Sequence, residues 1–106
     1  MNRYEFLRRV SDTVQDREQT HGKPSDNFRD IALMWQTYLG ISIKEEQVAY
    51  MMVLLKVARS KNNGRGLDNL IDTAGYVALA TELIYGNLDN QLLPEDQQSI
   101  DSKTKD

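Results

Sequence analysis

Between Val48 and Tyr76 the chain runs through two largely apolar segments, VAYMMVLLKVAR and LDNLIDTAGY, joined by the basic stretch SKNNGRG. Lys56 and Arg59 close the first segment, and Asp68 and Asp72 open the second. Ionised groups beside so much apolar surface are costly unless they meet an opposite charge or a ligand. A fold that accommodates them lays the two segments side by side and gathers the four charges at one end. The apolar residues fall at helical spacing instead of alternating, so both segments read as helices.

The rest of the chain supports an all-α reading. Arg3 to about Arg17 is a first helix, with Leu7, Val10 and Val14 on one face and polar residues elsewhere. The loop Glu18 to Pro24 ends it. Ser25 is the expected N-cap of a second helix, whose stripe of Phe28, Ile31, Ala32, Trp35 and Leu39 runs to Gly40 at the C-terminal stop. Ser42 and Glu45 have capping-box spacing and start the third helix, apolar nearly all round from Val48 to Leu55. The fourth spans Leu67 to Tyr85. Gly75 inside it costs roughly 1 kcal/mol against alanine, which points to a close approach by another helix. The expected domain is residues 1–86, and the polar stretch 87–106 reads as a disordered tail.

A chain of 106 residues supports one such core. Its net charge of −3 argues against non-specific nucleic-acid binding. There is no cysteine, hence no disulfide and no thiol chemistry, which suits a reducing cytoplasm. MNRYEFLRRV lacks the apolar run of a signal peptide, and no stretch is apolar for the ~18 residues of a membrane span. A third and fourth helix that are apolar nearly all round would leave wet apolar faces in a monomer, so a homo-oligomer with those helices at its interface is expected. Trp35, Met34, Met51 and Met52 read as core or interface filler.

The polar end offers two chemistries. Lys56, Arg59 and the loop residues Lys61 and Arg65 can hold phosphate oxygens. Asp68 and Asp72 can hold a divalent cation such as Mg2+. Tyr76 lies on the Asp68–Asp72 stripe and can stack on a base. Plainer readings stand beside these: Asp72 as the ion-pair partner of Lys56 or Arg59, Asp68 as a first-turn carboxylate favoured by the helix dipole, and Tyr76 as a packing residue. A second element is THGKPSDNF, residues 20–28, where Lys23 and the start of the second helix form an anion site beside Phe28. His21, the sole histidine, reads as exposed. No glycine-rich nucleotide motif, zinc spacing or nucleophile triad is present.

HGKPSDNF, IALMWQTYLG, VAYMMVLLKVAR and DNLIDTAGYVAL, taken in order, resemble an uncharacterised family of small helical proteins of bacteriophages and prophages. That family is in turn distantly similar to the MazG-like all-α nucleotide pyrophosphohydrolases. The resemblance implies a four-helix, MazG-like bundle, oligomeric assembly and a nucleotide ligand, with Lys56, Arg59, Asp72 and Tyr76 at the corresponding positions. Those hydrolases bind magnesium through a Glu-x-x-Glu pair and a Glu-x-x-Asp pair on successive helices. Here Glu45 and Glu46 open the third helix with no carboxylate after them, and Asp68 and Asp72 are four apart. The expected function is therefore a nucleotide-binding phage protein that sequesters a nucleotide or a cyclic, nucleotide-derived immune signal in the cytoplasm of an infected or lysogenic bacterium. The alternatives are a Mg2+-dependent nucleoside triphosphate pyrophosphohydrolase and a helical partner-binding module. No nucleic-acid or membrane partner is expected.

Overall fold

The computed structural model describes residues 1–62 and 65–86, so the expected tail at 87–106 lies outside the described residues. Four helices follow in order: α1 Arg3–His21, α2 Pro24–Leu39, α3 Glu45–Arg59 and α4 Leu67–Tyr85. No strand occurs among the described residues. The helix pair α3–α4 shares the most extensive contact, with α2 laid on α3 and α1 on α4.

Local chemistry explains the boundaries. The Asn2 side chain accepts the Glu5 N–H at 2.9 Å and caps α1. That helix runs past Arg17 to His21 and stops only at Gly22, whose φ of 84° a side-chain-bearing residue rarely adopts. The expected loop therefore shrinks to two residues. Pro24 takes the first position of α2, where its missing N–H costs nothing; Lys23, not Ser25, precedes it as the N-cap. Gly40 ends α2 in the left-handed conformation, as its position in the sequence suggests. At α3 the expected Ser42–Glu45 box gives way to Gln47, whose side chain accepts the Lys44 N–H at 2.8 Å. The limits of α4 agree with the sequence reading.

The dry core joins α2, α3 and α4: Phe28, Ala32, Val48, Ala49 and Ala80 are buried, with Trp35, Tyr76 and Leu83 against them. Small residues at 49 and 80 let the helices approach closely while Phe28 fills the space they leave. On α1 only Val10 is buried. It belongs to a second contact, where Val14 meets α4: a Cβ added at Gly75 would lie 3.4 Å from the Val14 Cγ2. The approach expected at Gly75 is thus made by a side chain, at ordinary van der Waals distance. Leu7 and Leu39, placed on the apolar stripes of α1 and α2, are exposed instead.

Candidate functional site

Antiparallel pairing of α3 and α4 brings the end of one beside the start of the other, and Asp72 becomes the centre of the polar cluster. Its Oδ2 accepts Lys56 Nζ at 2.9 Å, with the two side chains only 11% and 13% exposed. Its Oδ1 pairs with Arg17 Nη2 at 2.7 Å, from a side chain 50% exposed. Both carboxylate oxygens thus face cations. The trio carries a net formal charge of one positive unit, with the carboxylates of Glu18 and Asp68 in the linings of the adjoining recesses.

Asn69 fixes the pairing. Its Nδ2 donates to the Lys56 carbonyl at 2.8 Å and to Ser60 Oγ at 2.9 Å, while Ser60 Oγ donates to the same carbonyl at 3.0 Å. These bonds add side-chain donors to a carbonyl that already accepts the Ser60 N–H at 3.1 Å. They also hold the register in which Lys56 reaches Asp72.

Two recesses meet at Asp72. One is a shallow polar groove lined by Lys56, Arg59, Gly66, Leu67, Asp68 and Asn69. The other is a deeper cleft of about 590 Å³, counting its open mouth, between α1, α2 and α4. Its walls are Val14, Phe28, Ile71, Gly75, Tyr76 and Leu79, and its polar lining is Arg17, Glu18, His21, Asn27 and Asp72. Phe28 and Tyr76 stack on each other there, centroids 6.3 Å apart and planes 27° from parallel. Asn27 Nδ2 donates to the His21 carbonyl at 3.1 Å and ties the α1–α2 turn across the cleft mouth. The space it closes off from solvent is about 120 Å³, smaller than the ~300–1,000 Å³ of most small-molecule sites, while the mixture of apolar wall and few polar groups is their usual make-up.

Several residues singled out in the sequence come together, but not all at one place. Lys56, Arg59, Asp68 and Asp72 share the polar groove. Tyr76 and Phe28 belong to the cleft on the other side of Asp72. Lys23 is exposed at the start of α2, between the cleft-lining Gly22 and Pro24. Lys61 and Arg65 are exposed on the α3–α4 connection and line neither recess. Asp68 occupies the first turn of α4 and makes no ion pair among the described residues. No group of three or more His, Cys, Asp or Glu residues suited to a metal occurs among the described residues. Asp72, with both oxygens engaged by cations, is a poor metal ligand.

Arg17 was not among the expected site residues, yet it is the one cation shared by the cluster and the cleft. A signal for it exists: it follows Val10 and Val14 at positions i+7 and i+3, so it continues the stripe by which α1 meets α4.

Among the described residues no helix is long and apolar enough to cross a membrane. No solved structure matches the chain. The Gene 55 protein of Mycobacterium phage D29 is 41% identical over 70 residues, 66% of this chain and 46% of its own length. The Gene 55 protein of Mycobacterium phage L5 is 39% identical over 83 residues, 77% of this chain and 48% of its own. The chain thus spans about half the length of these curated relatives, and both are phage proteins, in line with the resemblance drawn from its motifs. Residues 5–84 match DUF6378, a domain of unknown function, and with nearly the whole helical region covered the chain belongs to that family.

Proposed function

We propose that this protein binds a nucleotide or a nucleotide-derived signal in the α1–α2–α4 cleft and sequesters it without turnover. The observation that carries the reading is the cleft itself, an apolar slot with an aromatic pair in its wall and Arg17 at its rim. The base lies against Tyr76 and Phe28, where a flat aromatic group gains both buried area and stacking. The phosphate meets Arg17, which has five N–H donors and uses one terminal nitrogen on Asp72. Lys23 and His21 stand near the same mouth, and Lys56 holds Asp72 in place from behind. Arg59 lines the polar groove on the far side of Asp72, and Lys61 and Arg65 are exposed on the connection beside it.

Sequestration is favoured over hydrolysis by the state of Asp72. A carboxylate that already neutralises two cations has little left for magnesium, and Asp68 alone does not make the usual ligand set. The MazG-like pyrophosphohydrolase reading draws on a different observation, the presence of Asp68 and Asp72 on one groove. A MazG-like bundle and homo-oligomeric assembly belong to the proposal as well.

The test is to incubate the protein with magnesium and a panel of triphosphates and cyclic nucleotides, remove the protein by filtration, denature it and chromatograph both fractions. Intact nucleotide recovered only after denaturation, and lost in Arg17→Ala, is the expected result. Monophosphate and pyrophosphate in the filtrate would replace the proposal with the hydrolase. No nucleotide retained at micromolar concentration would remove both.

A further inference from the structure

Among the described residues nothing covers the outward side of α3. From Gln47 to Ala58 its exposed positions are Gln47, Tyr50, Met51, Leu54, Leu55, Val57 and Ala58, without one ionised side chain; Lys56 turns inward to Asp72. Leu54 is 65% exposed. The neighbouring edge of α2 continues the surface through Tyr38, 89% exposed, and Met34, 71% exposed. A shallow apolar depression formed by Trp35, Tyr38, Leu39 and Met51 makes the α2 and α3 parts contiguous.

Scattered apolar side chains on a surface need no explanation, but a continuous face does. With side chains of this size exposed to this degree, the face offers on the order of 800–1,000 Å², which is what each partner contributes to a standard stable interface. By contrast the outward side of α1 carries Arg8, Arg9, Asp12 and Asp16, all exposed.

We propose that the α2–α3 face is the interface of a two-fold homodimer, in which α3 packs antiparallel against α3 of a second copy with Leu54 near the axis. The second copy is the fitting occupant for two reasons. The area matches what each partner of a standard stable interface covers, and a two-fold brings each patch onto itself with no like charges opposed, because α3 has none from Gln47 to Ala58 on this side. Leu54 lies midway along the exposed run from Tyr50 to Ala58, so an antiparallel crossing centred there buries the whole run. Tyr38 and Met34 then flank the crossing from α2. The interface shares α2 with the cleft but uses Met34 and Tyr38 there, not the cleft-lining Pro24, Asn27 and Phe28, and it pairs α3 with α2 where the sequence alone suggests α3 with α4. The proposal deepens the assembly named above and does not depend on any nucleotide.

The experiment is sedimentation equilibrium at tens of micromolar without nucleotide, on the wild type, Leu54→Glu and Tyr38→Glu. The expected masses are twice the 12.2 kDa chain for the wild type and a single chain for both variants, with unchanged helical circular dichroism. Since the chain has no cysteine, Leu54→Cys supplies a second readout that keeps the core intact. A short bis-maleimide should link it into a covalent dimer, while the outward Asp12→Cys should remain unlinked. A monomeric wild type would overturn the proposal. A dimer that survives both glutamate variants, or that links through Asp12→Cys and not Leu54→Cys, would overturn the choice of face.

Discussion

The two ends of the α3–α4 pair solve the same problem by opposite means. At one end Val48, Ala49 and Ala80 meet Phe28 and Ala32 in a dry core with no polar atom to place. At the other end Lys56, Asn69, Ser60 and Asp72 are partly buried and linked by hydrogen bonds and an ion pair. Apolar contact is strong and tolerant of direction, so the dry end supplies stability. Bonds between fixed donors and acceptors are modest in net energy but exact about geometry, so the wet end sets register and shapes the recesses around Asp72.

Four single substitutions and one double variant probe that division, the single ones in order of falling effect. Phe28→Ala should cost about 3–4 kcal/mol in urea unfolding, since it removes an aromatic ring from the dry end. Asp72→Asn should cost about 2–3 kcal/mol, because it leaves Lys56 buried without its counter-charge. The double variant Lys56→Met with Asp72→Leu should recover most of that loss. If it does not, the wet end contributes stability beyond its ion pair and the contrast weakens. Asn69→Ala should cost about 1 kcal/mol, because the Lys56 carbonyl and the Ser60 hydroxyl each lose one bond while keeping another. Gly75→Ala should raise stability by at most ~1 kcal/mol, the helix-propensity gain, because Val14 lies at ordinary contact distance from the new methyl. A marked loss there would show that α1 presses on α4 more tightly than the geometry gives.

The sequence revealed what local spacing encodes. The limits of α4, the stop at Gly40 and the nearness of Lys56 to Asp72 all follow from periodicity, a glycine and a short connection. The last turn of α1 was missed because Glu18 to His21 carry no apolar residue to extend the stripe, although Gly22 marks the true end. The cleft was not legible from local pattern. Its walls come from α1, α2 and α4, and pairing α1 with α4 depends on contacts such as Val14 with Gly75, far apart in the chain. Arg17 shows the gap most clearly: its place on the buried stripe was visible, but the partner it would meet was not. The extent of the bare α3 face was equally hidden, because an apolar run alone does not say which half a neighbour covers.

The slight burial of α1 has a kinetic consequence. Only Val10 is sealed on that helix, and its partners on α4 are more than fifty positions away, whereas α3 and α4 are joined by a short connection. Contacts near in sequence form early and distant ones late, so α1 docks last and is the first element to lift away. The cleft has its outer wall only while α1 is down. Amide hydrogens along Val10 to Arg17 should therefore exchange with solvent faster than those of Ile71 to Ala80, and an occupant of the cleft should slow the first set far more than the second.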